Sequence, residues 1–557
     1  MLSRGRAIQI LTQERFDVAV IGGGITGAGV ALDAASRGYS VALVEKADFA
    51  SGTSSRSSKL VHGGLRYLQQ FDLGLVREAL LERQLMVKLA PHLVTPLEMV
   101  VPAFGGGRPD RLVGIGRNMY DVMATPRLRG RRAARRAAEN GEADWSPARH
   151  RLISGEEVVS LLPALAAREP TGGYLFYDCQ TDDARLVLTV LGEAERFGAI
   201  CANRLEVVGL VRDDGDDGGV RVRVRDGESG AELLVRADNV INAAGVWADR
   251  IRPDELYSEA ELPTIVPSRG THVTVSRVDL PLRAGAIVPA GNDRSIFALP
   301  WLGASLLGTT DNTYGGDIDR VRPGASDIDY LLEATNSFFG TSLGPGDLTG
   351  AYAGVRPLIS SGDARRSVDI SRKAELYETS SGLITITGGK LTTWRRMAKL
   401  AVDRLVERDG RDAPCRTHEI PLGEPVDPLS LPRVSGVSEE SYAAMAARYG
   451  HAAHDLLALA GTRLELAAPI VEGHPDLLAE APFSASREQA LSVGDVLLRR
   501  TRLGLVAARA IRESGGEVPV RVACAMGAEL GWDEARVAVE ARRFDEEARA
   551  EYVPGDE

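Results

Sequence analysis

Three glycines at fixed spacing, Gly22, Gly24 and Gly27, form a GxGxxG pattern whose chemistry would be the holding of a pyrophosphate. The first glycine permits a tight turn. The second lets backbone N–H groups approach the phosphates at a helix N-terminus, and the third lets helix and strand pack closely. Glu45 follows at the end of the next apolar run, where a carboxylate can hydrogen-bond a ribose diol and would repel a 2′-phosphate. Ser54, Ser55, Ser57, Ser58 and Lys59 make a polar patch soon after it, with hydroxyls and N–H groups suited to phosphate oxygens. Two further residues could act on a bound substrate. Arg356, in GVRPL, offers a fork that suits a phosphate bidentately. His272, in RGTHVTV, is a lone histidine in an alternating apolar run; such residues usually sit satisfied in an interior, but its pKa range also suits a general base.

These residues need elements to place them. FDVAVI, residues 16–21, reads as a buried strand; the glycines turn it, and a helix is expected from about Ile25 to Arg37, ended by Gly38. YSVALV, residues 39–44, is the next strand, so the motif has the βαβ context it requires. A further strand, VINAAG, ends at Gly245 and is followed by Val246 and Trp247. Late in the chain SGLITIT leads through Gly388 and Gly389 into a helix expected over about Lys390–Glu407. A second helix N-terminus of this kind can aim its dipole at the pyrimidine edge of a flavin, where negative charge develops on reduction. A nicotinamide enzyme has no evident need for it, so FAD is the expected cofactor.

Between these segments Leu73–Leu89 has helical periodicity, 140–180 reads as loops and short helices, and the run from Asp182 reads as a long helix capped by Asp182 or Asp183. Several strands between about 260 and 360 suggest a mostly antiparallel second sheet. A Pro-rich stretch near 415–435 reads as a linker, and amphipathic helices follow it. The expected fold is therefore α/β, with a Rossmann-like FAD-binding domain, an interleaved mainly antiparallel β substrate domain and an all-α C-terminal domain. The FAD-binding segments are placed at about 15–90, 180–260 and 350–410, and the substrate segments at 91–179 and 261–349. Residues 411–435 form the linker and 436–557 the helical domain.

Composition narrows the function. The net charge of −11 over 557 residues argues against a general nucleic-acid binder. The cysteines Cys179, Cys201, Cys415 and Cys524 form no CxxC pair and no disulfide framework, and the eight histidines show no zinc-ligand spacing. No metal is expected. The first ten residues do not read as a signal peptide, and no apolar run reaches eighteen residues. The basic run 127–136 reads as a solvated face, with an anionic membrane surface as the sharper alternative.

SSKLVHGGLRYL (from Ser57), YAGVRPL and TGGKLTTWR, in this order, closely resemble the FAD-dependent, respiratory-type glycerol-3-phosphate dehydrogenases, within the glycine-oxidase and D-amino-acid-oxidase-like flavoproteins. VIGGGITGAGVALDAASRG, YDCQTDDARLVLTV, NAAGVWAD, PSRGTHVTV and LLGTTDNTYGGD fit the same pattern, over about residues 15–535. Cys179 stands where many relatives carry glycine, and no EF-hand spacing occurs in the C-terminal part.

The resemblance implies oxidation of sn-glycerol 3-phosphate to dihydroxyacetone phosphate, with a hydride passed to flavin N5 and electrons to a membrane quinone. It gives Arg356 and Arg66 the substrate phosphate, Tyr67 the orientation of the substrate, and His272 the removal of the hydroxyl proton. Lys390 is assigned to the flavin O2 region or the phosphate, and counts with the catalytic set. The cofactor is expected to contact Gly22, Gly24, Gly27, Glu45, Ser54, Ser55, Ser58, Lys59, His62, Gly63, Gly64, Gly245, Trp247, Gly388, Gly389, Lys390, Leu391 and Thr392. Whether His62 binds the flavin or only packs stays open. Asp311 and Asp249 are expected to support or cap rather than to react.

A quinone is lipid-soluble, so the resemblance implies a cytoplasmic protein held peripherally on the inner face of the cell membrane. A homodimer is the prior expectation. The alternatives are a glycerol-3-phosphate oxidase using O2, an amine or amino-acid oxidase of the same superfamily, and a flavin-binding or RNA-modifying module without turnover. Two arginines and a lysine favour a phosphate over a lone carboxylate, and the charge argues against RNA.

Overall fold

The computed structural model describes residues 1–64, 73–105, 150–212, 218–253, 258, 261–291, 294–360 and 374–551. Two sheets carry it. The first has eight strands, in the order Ala374–Glu378, Ile384–Gly388, Glu232–Asn242, Arg15–Ile21, Val41–Val44 and Ile200–Ala202. The hairpin Leu205–Arg212 and Val220–Asp226 hangs from Glu232–Asn242. The pairings of Ile384–Gly388, Glu232–Asn242, Arg15–Ile21, Val41–Val44 and Ile200–Ala202 along this row are all parallel. A parallel sheet must be covered on both faces, which is why VALV at 41–44 is buried at every position. The helices Ile25–Ser36, Asp183–Arg196 and Trp394–Asp409 pack together with the sheet in one apolar core.

Parallel pairing has a consequence for the site. It brings the carboxyl ends of four strands to one edge, where the chain leaves at Gly22, Glu45, Ala243 and Gly389. That edge is where open α/β sheets bind ligands. The third glycine of the motif is required there: a Cβ on Gly27 would lie 1.8 Å from the carbonyl oxygen of Gly22. Gly27→Ala is expected to push the helix off the turn and abolish FAD retention, read as loss of the yellow spectrum after desalting.

The second sheet has ten strands and is mainly antiparallel. Its row is Asn312–Thr313, Ile265–Ser276, Ala304–Gly308, Ser295–Trp301, Gly285–Pro289, Thr95–Ala103, Gly172–Gln180 and Leu60–Val61. Leu348–Ile359 joins Ile265–Ser276, and Arg151–Ser154 joins Gly172–Gln180. Two sequence expectations shift, and one element is new. Leu348–Ile359 belongs to this second sheet, so the boundary expected at 349–350 falls inside a strand. Gly172–Gln180 is a nine-residue strand in a region read as loops and short helices. Arg4–Gln13 is a helix with no counterpart in the sequence reading.

Between Glu439 and Glu551 the named elements are all helices. Their apolar faces form one core with Met99, Phe176, Leu299, Trp301 and Tyr352, so the helical region packs on the second sheet. Buried ion pairs tie it to the first sheet's domain as well. Arg500 bonds Asp48 at 2.7 and 2.9 Å, and Arg185 pairs with Glu488. No helix among the described residues is long and apolar enough to cross a membrane. The basic run 127–136 lies outside the described residues.

Candidate active site

A cavity of about 1220 Å³ runs from the carboxyl edge of the first sheet to the inner face of the second. At the sheet edge it is bordered by Gly22, Gly24, Ile25 and Thr26, the turn and first residues of the helix Ile25–Ser36. Ser54 closes against this turn, its hydroxyl accepting the Ile25 N–H at 2.9 Å. Glu45 also borders the cavity, and its carboxylate accepts the N–H groups of Gly23 at 2.6 Å and Ala47 at 2.9 Å. Burial raises the pKa of Glu45, opposed mainly by those two N–H groups. Beside it Trp247 stacks under the Lys46 ammonium, 4.1 Å from the ring centre, and its indole N–H donates to Asp319 at 2.9 Å. Gly245 borders the same stretch.

The other glycine pair meets the cavity further along. Gly388, Gly389, Lys390, Leu391 and Thr392 border it, just ahead of the helix Trp394–Asp409. The predicted helix start at Lys390 is instead a 3₁₀ turn, Leu391–Thr393, which leads directly into that helix. Thr392 ties this turn to His62: its hydroxyl accepts the His62 N–H at 3.1 Å and donates to the His62 carbonyl at 3.2 Å. His62 and Gly64 border the cavity, and the imidazole meets Phe297 edge to face at 6.1 Å.

At the second sheet the wall is built by His272 and Arg356. His272 sits in Ile265–Ser276, opposite Gly308 on one neighbour and Tyr352 on the other. Its ring stacks on Tyr352 at 4.9 Å, and its Nε2 is hydrogen-bonded to the Ser58 hydroxyl at 2.8 Å. Nδ1 is buried without a hydrogen-bond partner among the described residues. Burial drives the pKa of His272 well below its ordinary value of 6.5, and the charges of Lys59 and Arg356 push the same way. Burial and both neighbouring cations thus favour the uncharged imidazole, the form a general base needs before it reacts. Arg356 donates to the Thr309 hydroxyl at 3.1 Å and the Thr310 carbonyl at 3.2 Å, and lies 3.6 Å from Asp311.

Two glycines missed in the sequence reading make this wall possible. A Cβ on Gly308 would lie 2.2 Å from the His272 ring, and one on Gly270 would lie 2.4 Å from the Arg356 guanidinium. A glycine inside a strand pattern signals such close approach, and SRGTHV carried that signal.

Some expected site residues fall elsewhere. Lys59 does not border the cavity, which corrects its assignment to the pyrophosphate. Its ammonium is fully buried on Asp183, at 2.8 and 3.0 Å, because a charge in that position must be paired. Burial lowers its pKa to about 8, opposed chiefly by Asp183. Ser55 is buried behind the wall and presents its carbonyl to Lys59 at 2.6 Å. Gly63 does not border the cavity, and Gly27 acts by packing. Asp311 borders the cavity beside Arg356, and Asp249 does not border it. Arg66 and Tyr67 lie outside the described residues.

Glycine-lined phosphate approach, a carboxylate at the ribose end and a second helix start further along fit an extended FAD better than a mononucleotide. The sequence model described as "FAD dependent oxidoreductase" matches residues 17–404, and that of the "C-terminal domain of alpha-glycerophosphate oxidase" matches 384–537. Glycerol-3-phosphate dehydrogenase 2 of Mycobacterium tuberculosis is 36% identical, over 99% of this chain and 91% of its own length. The chain belongs to the FAD-dependent glycerol-3-phosphate dehydrogenase family. Glycerol-3-phosphate dehydrogenase 1 of the same organism is 40% identical over 88% of this chain and 92% of its own. Among solved structures, the glycerol-3-phosphate dehydrogenase from Bacillus halodurans complexed with FAD superposes with a TM-score of 0.75 at 28% identity. It covers 98% of this chain and 97% of its own. Membership agrees with the cavity: FAD is the cofactor, and the glycine turn, Glu45 and the Gly388–Thr392 turn are the residues of this chain that would hold it.

Proposed function

We propose that the protein performs its family's oxidation of glycerol 3-phosphate to dihydroxyacetone phosphate at the His272–Arg356 wall and delivers the electrons to a membrane quinone. When bound, FAD supplies the acceptor for the hydride at its N5. The chain's residues do the rest. Arg356 presents a cation to the substrate phosphate, with Lys390 on the opposing turn and Arg66 as the second arginine of the family pattern. Tyr67 orients the carbinol. His272, neutral and buried, takes the hydroxyl proton as the C–H bond breaks. Val101, Phe176, Ile287 and Phe297 give the cavity an apolar lining against which the reaction would proceed. The single observation that carries the reading is that His272 and Arg356 border the same cavity as the two glycine turns.

The test is an anaerobic spectrum. The yellow protein is expected to bleach on adding glycerol 3-phosphate and to stay oxidised with glycerol; equal bleaching by both would remove the phosphate from the reading. The bleached protein is then offered a ubiquinone or menaquinone analogue, or O2. Fast reoxidation by quinone supports the quinone assignment. Fast peroxide formation instead favours the oxidase reading, to which the matched C-terminal family description points. On this reading the protein works peripherally at the membrane, on its cytoplasmic face, with a homodimer as the proposed assembly.

A further inference from the structure

Ser58, the hydrogen-bond partner of His272, lies between two residues clamped by one carboxylate. Asp183 accepts the Ser57 N–H at 3.0 Å, the Ser57 hydroxyl at 2.7 Å and the Lys59 ammonium at 2.8 and 3.0 Å. The Ser57 hydroxyl also accepts the Lys59 N–H at 3.0 Å. The backbone here is bent, with φ of +61° at Lys59, a conformation unusual for a residue with a side chain and so in need of fixing. Asp183 is itself gripped by Arg502, which arrives from the C-terminal helical region. Arg502 bonds Asp182 at 3.0 Å and reaches the same Ser55 carbonyl that Lys59 holds. Asp183, Lys59 and Arg502 are all fully buried.

The same C-terminal turn supports the histidine's strand from behind. The Leu505 carbonyl accepts the Thr274 hydroxyl at 2.7 Å, two residues from His272. Tyr352 closes the circuit. It stacks on the imidazole, donates its hydroxyl to the Ser57 carbonyl at 2.8 Å, and carries the Lys59 ammonium 4.7 Å from its ring centre. Stacking fixes the plane of the imidazole but is blind to a half-turn that exchanges its nitrogens for carbons. The bond from Nε2 to Ser58 settles that half-turn, and so decides which ring atoms meet the substrate.

We propose that Arg502, from the helical C-terminal region, positions the catalytic histidine through Asp183 and Ser58. Ser58, Asp183 and Arg502 are positioning residues for the oxidation; the inference rests on the reading of His272 as its base. It makes the C-terminal region part of the active site's support.

The experiment is anaerobic stopped-flow reduction of the holoenzyme by glycerol 3-phosphate. Ser58→Ala should keep its FAD and its apparent Kd for substrate while the limiting reduction rate falls about 10- to 100-fold, the cost of a misplaced reacting group. Ser58→Thr, which keeps the hydroxyl, should recover most of the rate. Arg502→Lys keeps the charge but cannot grip both aspartates. It should slow reduction about 10-fold in the wild type and by less than about 2-fold in the Ser58→Ala background, as for residues acting through one contact. Asp183→Asn reads the same coupling from the other partner if Arg502→Lys does not fold. Wild-type rates in Ser58→Ala, or full additivity of the second substitution, would overturn the coupling while a slow His272→Asn leaves the base assignment standing. A fast His272→Asn would overturn that assignment and this proposal with it.

Discussion

His272→Asn is expected to retain FAD with an unchanged spectrum yet reduce it with glycerol 3-phosphate roughly 100- to 10,000-fold more slowly, the usual range for losing a general base. Asparagine preserves size and hydrogen bonding but accepts no proton. The effect should fall on the limiting rate rather than on substrate binding, because the phosphate is assigned to Arg356, Lys390 and Arg66. Burial, with Lys59 and Arg356 adding to it, holds the His272 pKa well below 6.5, so the base form persists through neutral pH. The wild-type rate should be level there and decline only on the acid side, well below 6.5. The stability sign is the same. A histidine whose folded pKa is depressed contributes fully above its unfolded pKa, and that contribution is lost as pH falls through the folded value. Wild-type reduction rates in His272→Asn at any pH would remove the residue from the chemistry.

The second large effect is expected at Arg356. Arg356→Met should weaken glycerol 3-phosphate binding by about 2–4 kcal/mol, roughly 30- to 1000-fold, the cost of losing one charged partner of a desolvated pair. Arg356→Lys should fall between, since it keeps the charge without the fork. The guanidinium is already steered by Thr309 and Thr310 and seated over Gly270, so its direction is prepared before substrate arrives. Titration of flavin reduction rate against substrate separates the two parameters. An unchanged half-saturation with a reduced limiting rate would move Arg356 from phosphate binding to the reacting centre.

The parts legible in the sequence were those whose cause is local. The glycine turn, the helix after it and Glu45 lie within one βαβ unit, and the helix at Leu73–Leu89 coincides with its periodicity. The cap at Asp182 also followed from residue type, and its carboxylate accepts the N–H groups of Ala184 and Arg185. Gly172–Gln180 escaped notice because it is buried on both faces and shows no alternation. Lys59 was misread because its partner, Asp183, lies 124 residues away. The arginines of LLRRTRLG carry no local sign of what they meet. Arg499, Arg500 and Arg502 are buried on Asp48, Asp182 and Asp183, acids hundreds of residues distant. No local pattern announces a long-range ion pair.

The seam between the helical region and the second sheet bears on how the molecule can be divided. Met99, Phe176, Leu299, Trp301 and Tyr352 share their apolar core with helices that begin at Glu439. A chain cut after the helix Trp394–Asp409 would leave those side chains bare, strip Asp48 of Arg499 and Arg500, and leave Asp183 with Lys59 alone. The flavin-holding part and its helical cover are thus one cooperative body, and an isolated fragment ending there would be a sticky, half-built protein rather than a smaller enzyme.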